Sequence, residues 1–224
     1  MAVQPNEPKK PKKPKKLCPK VILEGTRLTR KTDLAFALNE HPGLVGTRRY
    51  RYHSPLISAE WSAFSADPWG RGLINFAAEE TELAMETYRT WARLFELQRY
   101  YSWIVDRFHL STEVFQASQG RHHDFGWLED RLRPLGFAVV LCLRDPDTFA
   151  EARRERLRIS AKPEQYDDLS LFRVEQERLR AAAARSTLPV LELQVADRSV
   201  AELADEVADW LAARGLLGTP DELD

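Results

Sequence analysis

Val21-Ile22-Leu23-Glu24-Gly25-Thr26-Arg27-Leu28-Thr29-Arg30-Lys31-Thr32 runs from an apolar segment through a glycine-led loop to Lys-Thr at the head of an amphipathic pattern. Strand, loop and helix start in that order form the layout of a phosphate-binding loop. Such a loop needs backbone N–H groups turned inward over the positive end of a helix. Lys31 adds a point charge for the distal phosphates, and the Thr32 hydroxyl is a ligand for the accompanying metal ion. The span Gly25, Thr26, Arg27, Leu28, Thr29, Arg30, Lys31 and Thr32 is therefore the candidate nucleotide-binding segment. One position departs from G-x-x-x-x-G-K-[ST], because Arg30 stands where the second glycine belongs. Glycine there permits close backbone approach. An arginine keeps an ordinary backbone only if its φ stays negative, and its guanidinium can make bidentate phosphate contacts.

Outward from this segment, apolar runs alternate with helical periodicities. Val21–Glu24 reads as a buried strand and Arg30–Asn39 as a helix with Leu34, Ala35 and Leu38 on one face, stopped by His41-Pro42-Gly43. Leu44–Tyr52 can hold a second strand, Ser58–Phe64 reads as helical, and Glu79–Arg99 as a long helix whose apolar contacts come from Leu83, Tyr88, Trp91, Leu94 and Phe95. Ser102–Val105 is a third strand ending at Asp106, Phe125–Leu132 a helix, and Ala138–Leu143 the cleanest strand, closed by Arg144-Asp145-Pro146. Asp147–Arg158 and Asp168–Arg185 are helical, Pro189–Leu193 is a fifth strand, and Ser199–Ala213 a last helix. This alternation predicts an α/β fold with a parallel sheet covered on both faces. Ligands then gather beyond the carboxyl ends of the strands. Gly25, Asp106 and Asp145 all fall at such ends.

The 224 residues, 43% hydrophobic and 30% charged, suit one globular domain, expected over residues 20–218 with a short tail at 219–224. The net charge of −1 excludes a generally basic or acidic protein, but Lys and Pro crowd residues 8–16. Residues 1–19 read as a disordered arm, either a solubilising tail or a contact for nucleic acid or an acidic partner. No apolar run approaches the ~20 residues of a membrane span, and the tail lacks a signal peptide's apolar core. Cys18 and Cys142 suggest neither a disulfide nor a metal site. The expected location is the cytoplasm, with a homodimer left open.

A second constellation is Ser102-Trp103-Ile104-Val105-Asp106-Arg107-Phe108-His109. The strand delivers Asp106 and Arg107 together to the sheet's edge. A carboxylate there binds magnesium or accepts a proton from an acceptor hydroxyl. An adjacent arginine holds an acceptor phosphate or steadies the transferring group. His109, beside Phe108, reads as a packed or capping residue, and His122-His123-Asp124 as a loop. The third constellation is Arg153, Arg154, Arg156 and Arg158, which cannot share one helical face. A mobile basic segment after a fourth strand suits a lid over a triphosphate. Arg48, Arg49 and Arg51 lie near the expected second strand, where they can meet an acceptor phosphate.

The order of these parts resembles the thymidylate kinase-like branch of the P-loop nucleotide and nucleoside kinases. The resemblance lies in Leu23-Glu24-Gly25, the loop Gly25–Thr32, Val105-Asp106-Arg107-Phe108, and the arginines of Ala152–Arg158 after the strand Ala138–Leu143. It implies a three-layer P-loop kinase fold with a five-stranded parallel sheet. It also implies transfer of the γ-phosphoryl of ATP, or another nucleoside triphosphate, to a nucleotide, nucleoside or other small acceptor. Lys31, Asp106 and Arg107 would be catalytic, Thr32 and Asp106 would serve Mg2+, and Arg153, Arg154, Arg156 and Arg158 would form the lid. Arg27 stands where family loops often carry an acidic residue, and no Arg-Glu-Pro-Gly segment follows the second strand. The alternative is a non-catalytic triphosphate-binding module acting with a protein or nucleic-acid partner.

Overall fold

A computed structural model describes residues 17–45, 56–60, 62–64 and 70–218. Five strands, β1 (Lys20–Glu24), β2 (Leu56–Ser58), β3 (Trp103–Asp106), β4 (Phe137–Leu143) and β5 (Val190–Gln194), form one sheet. Their order is β2-β3-β1-β4-β5, and every pairing is parallel. Among the described residues the α-helices are α1 (Lys31–Glu40), α2 (Pro42–Val45), α3 (Thr81–Leu97), α4 (His109–Ser118), α5 (Gly126–Leu132), α6 (Phe149–Leu157), α7 (Leu169–Ala183) and α8 (Val200–Ala213). Among the described residues no helix is long and apolar enough to cross a membrane.

Every residue of β1 and β4 is buried, the pattern of strands covered on both faces. Alternation along β1 sends Val21 and Leu23 to the α1–α8 side, with Leu34, Leu38, Leu203 and Val207. It sends Ile22 to the other side, among Tyr88, Phe95, Phe108, Leu128 and Leu179. The result is three layers, as expected, with β1 at the centre. Because β3 and β4 flank β1, the chain runs to opposite sides of the sheet beyond the end of β1, and a crevice opens there.

Of the expected second strand, Leu44 and Val45 lie in the helical turn Pro42–Val45 and 46–52 lie outside the described residues; the second strand among the described residues is Leu56–Ser58. Over its described residues, Ser58–Phe64 is not helical. Ala63 pairs with Gly72 in an isolated antiparallel bridge. A Cβ on Gly72 would sit 2.2 Å from the Ser62 carbonyl oxygen, so only glycine lets the two backbones approach. Helix α4 was not expected at all. Of the arm, Leu17–Pro19 are described and lie against the domain: the Cys18 N–H reaches the Leu217 carbonyl at 2.9 Å, and Pro19 accepts from Trp103 at 3.0 Å. The rest of the arm, residues 219–224, and Arg48, Arg49 and Arg51 lie outside the described residues.

Helix α3 is turned from its expected phase. Ala84, Tyr88, Ala92 and Phe95 are buried, whereas Leu83 and Leu94 are 48% and 40% exposed. Phe95 meets Trp103 and Phe137, each at 4.9 Å between ring centroids. We predict that Phe95→Ala lowers unfolding free energy by about 3–5 kcal/mol, whereas Leu94→Ala changes it by less than about 1 kcal/mol. Urea denaturation compares the two, and equal losses would contradict the observed phase.

Candidate functional site

The loop between β1 and α1 is set by unusual backbone angles. Gly25 has φ +146°, and a Cβ there would lie 2.6 Å from the Cys142 carbonyl oxygen. Leu28 and Arg30 adopt φ 66° and 56°. Arg30 thus takes the left-handed conformation that glycine normally supplies, so the condition of a negative φ is not met. That conformation costs a non-glycine residue roughly 1–2 kcal/mol. The Arg30 guanidinium donates to the Arg198 carbonyl at 2.8 Å and lies 4.0 Å from Asp33. Its side chain is tied to the segment between β5 and α8. No side chain caps the amino end of α1.

Lys31 is buried in this loop, its Nζ donating to the Thr26 carbonyl at 2.7 Å. The Thr29 hydroxyl donates to the same oxygen at 2.7 Å. The Thr32 hydroxyl donates to Asp106 Oδ2 at 2.8 Å, while the buried Asp106 Oδ1 has no hydrogen-bond partner. Asp106 reaches this position because β3 pairs with β1 in a register that sets Asp106 beside Leu23. The tertiary structure therefore brings Lys31, Thr32 and Asp106 together. A hydroxyl and a carboxylate with one oxygen to spare suit magnesium, which takes one or two protein oxygens and completes its shell with phosphate and water. Among the described residues no cluster of three or more His, Cys, Asp or Glu offers a metal site.

Arg107 follows with φ 59°. Its N–H reaches the Leu23 carbonyl at 2.9 Å, and its own carbonyl accepts from Ala59 at 3.3 Å. This one residue joins the ends of β1 and β2. Its side chain, expected to face an acceptor phosphate, is already engaged. Nε donates to the Ser111 hydroxyl at 2.9 Å and Nη2 to Glu175 Oε1 at 2.6 Å. The other Glu175 oxygen accepts the Thr26 hydroxyl. Burial would lower the pKa of Arg107, but Glu175, Glu60 and Glu24 raise it further still. Burial likewise favours the neutral form of Glu175, yet Arg107 and Thr26 hold its carboxyl below the usual range. Arg27 lies 3.8 Å from Glu60, at the end of β2. Glu24 accepts N–H groups from Phe108 at 3.0 Å, Leu110 at 3.1 Å and Ser111 at 3.3 Å.

Across the crevice, the Arg144 N–H donates to Gln176 at 2.8 Å and its Nε to the Leu28 carbonyl at 2.9 Å. The expected lid arginines divide. Arg153 donates to the Tyr166 carbonyl at 2.7 Å and Asp167 at 2.8 Å, and Arg156 to the Tyr166 hydroxyl at 3.1 Å. Arg154 and Arg158 are exposed. Phe149, Tyr166 and Phe172 form a small core against which Leu28 packs, so this region touches the loop tip. His122-His123-Asp124 is a loop, as expected. His109 is buried with Nε2 2.9 Å from Glu129, the packed role expected of it.

Glu24, Glu60, Arg144 and Glu175 join the site beyond the residues that the sequence points to. Arg144 carried a usable signal, because it follows the cleanest strand at its carboxyl end. Glu175 carried none, being one charge among many on α7.

No family model and no curated protein matches this sequence. Among solved structures, the chain is similar to the YorR protein of Bacillus subtilis in complex with phosphorylated GDP, with TM-score 0.59 and 18% identity over 88% of this chain and 97% of that one. Thymidylate kinase from Candida albicans gives TM-score 0.48 and 12% identity over 90% and 94% of the two chains. Shikimate kinase from Acinetobacter baumannii in complex with shikimate gives 0.45 and 13% over 88% and 94%. The architecture is the three-layer P-loop kinase fold with a five-stranded parallel sheet.

Two predictions follow from these contacts. Arg30→Ala keeps the strained backbone and loses the bond to Arg198, whereas Arg30→Gly loses the same bond but relieves the strain. Arg30→Gly should therefore exceed Arg30→Ala in stability by about 1 kcal/mol in urea titrations. For Glu129, burial alone would raise the pKa, but bonds from His109, Ser186 and Thr187 draw it from 4.5 to about 2. A depressed carboxylate adds stability above its unfolded pKa and loses it as pH falls through the folded one. The stability advantage of wild type over Glu129→Gln should thus hold above pH 4.5 and shrink steadily towards pH 2. An unchanged difference across that window would contradict the assignment.

Proposed function

We propose that this chain is a phosphotransferase that moves the γ-phosphoryl of ATP, or another nucleoside triphosphate, to the hydroxyl of a nucleotide or nucleoside. The observation that carries this reading is the meeting of Lys31, Thr32 and Asp106 at an uncapped helix start. The first N–H groups of α1 and the Lys31 ammonium form a cradle of positive charge for the donor's phosphates. Lys31 now rests on the Thr26 carbonyl, a contact it would exchange for phosphate oxygen.

Thr32 and Asp106 would hold magnesium, which when bound neutralises charge developing on the transferred group. The acceptor oxygen attacks the γ-phosphorus as the bond to the β–γ bridging oxygen breaks. Asp106 Oδ1 supports a second role, accepting the hydroxyl proton. The transition state is loose, so catalysis rests mainly on positioning and charge. Arg144, bonded to the loop at Leu28, stiffens the loop from the β4 side. Arg154 and Arg158 supply the cations of a lid, while Arg153 and Arg156 anchor α6 to Tyr166. The donor lies towards β4 and β5, and the acceptor towards β2 and β3. The motif resemblance to thymidylate kinase-like enzymes supports this division.

Arg30 in place of the loop glycine favours one rival reading, a module that binds triphosphate without transferring it. Mg·ATP near 100 Kd should stabilise wild type by about 2.7 kcal/mol, seen as a rise in Tm, and Lys31→Ala should abolish it. Asp106→Asn should lower turnover by orders of magnitude while ATP affinity stays within several-fold. Equal shifts in wild type and Lys31→Ala would refute nucleotide binding at this loop. A shift without turnover on any acceptor would favour the binding module.

A further inference from the structure

The Glu175 carboxylate lies on α7 yet reaches across to both the phosphate loop and the end of β3. Resting on the phosphotransferase reading, we propose that Glu175 is a built-in counter-anion that closes the acceptor side to phosphomonoesters. The acceptor is then an uncharged alcohol of the nucleoside class.

The argument begins with the guanidinium of Arg107. An arginine captures a phosphate best with two parallel N–H groups along one edge. The Nε–Nη2 edge of Arg107 is taken, Nε by Ser111 at 2.9 Å and Nη2 by Glu175 at 2.6 Å. The side chain is only 7% exposed. A phosphate bound along this edge would have to expel Glu175, and the expelled carboxylate would also release the Thr26 hydroxyl in the loop. Moving it aside would leave a carboxylate close to a dianion, and like charges brought together repel. Arg27, the other arginine at this edge among the described residues, is already 3.8 Å from Glu60. Among the described residues, Arg27 and Arg107 stand at this edge against Glu60 and Glu175, with Glu24 behind them and Lys31 on the loop side of Glu175. Both arginines have their carboxylate. A neutral hydroxyl enters such a balanced site without disturbing an ion pair, whereas a phosphomonoester must break one. Specificity of this kind comes from the repulsive element built against the wrong partner.

The test measures kcat/KM with Mg·ATP for common ribo- and deoxyribonucleosides and their 5′-monophosphates, on full-length wild type and Glu175→Gln. Glutamine keeps the shape and removes the charge. Wild type should prefer the best nucleoside over its own monophosphate by about 100-fold or more, and Glu175→Gln should cut that ratio at least about ten-fold by gaining on the monophosphate. A wild-type preference for the monophosphate overturns the proposal, as does a ratio that Glu175→Gln leaves unchanged. Should the variant fail to fold, the wild-type ratio decides alone. Transfer to no nucleoside also overturns it. The Mg·ATP shift in Tm, measured alongside, then separates the two levels: a retained shift removes this inference only, and a lost shift removes the phosphotransferase reading with it.

Discussion

A carboxylate fully buried at the end of the central strand sets the geometry of this edge. Glu24 is fully enclosed, and it accepts N–H groups from Phe108, Leu110 and Ser111, together with the Ser111 hydroxyl. An unpaired buried charge would be prohibitive. Here the charge is met by several donors and by the positive end of α4. The bonds run both ways in their effect. They satisfy Glu24, and they hold the start of α4 against the end of β1. Asp106, the last residue of β3, and Arg107, in the short link to α4, are thereby kept beside the loop that follows Glu24. The Thr32–Asp106 hydrogen bond and the Arg107 bond to Leu23 both depend on that spacing.

Strain gathers at the same edge. Leu28, Arg30 and Arg107 all have positive φ, as does Gly25. Non-glycine residues hold such angles only where surrounding contacts over-determine them. Arg107 is held through its backbone to β1 and β2 and through its side chain to Ser111 and Glu175. Leu28 is held by the small apolar core beneath α6 and by Arg144 at its carbonyl. Arg30 is held by Arg198. Each strained residue is thus tied to a different part of the fold, and this edge inherits its shape from β2, α6, α7 and the segment between β5 and α8 together.

Much of the frame is legible in the amino-acid order. The apolar runs of β1 and β4 are continuous because both faces of a central parallel strand are covered. Composition alone therefore marks them. Edge strand β2 is short and only partly buried, so its residues carry no comparable signal. Helix α4 is hidden for another reason. Ser111, Thr112 and Gln116 are buried on it, and each is satisfied from elsewhere, Thr112 by Tyr88 and Gln116 by the carbonyls of Ile74 and Phe76. A helix that buries polar groups shows no apolar stripe to read. The sequence marks helix α3 but points Leu83 and Leu94 inward, whereas both are exposed. Periodicity marks an apolar stripe, yet when leucines border a stripe of alanine and aromatic residues, packing against β3 and α5 chooses the phase.

The candidate site divides along the same line. Gly25, Lys31, Thr32, Asp106 and Arg107 were legible because loop chemistry and strand ends are local, encoded within a few residues of one another or of an apolar run. What each side chain does there was not local. Whether Arg30 turns towards the loop depends on the Arg198 carbonyl. Whether Arg107 faces a ligand depends on Glu175, brought over from α7. The sequence by itself determined the strand–loop–helix unit, the parallel α/β class and the residues gathered at the sheet's edge, since these follow from hydrophobic period and backbone chemistry. Only the tertiary structure decided which charges neutralise one another, because electrostatic pairing acts through space between residues whose separation along the chain carries no pattern.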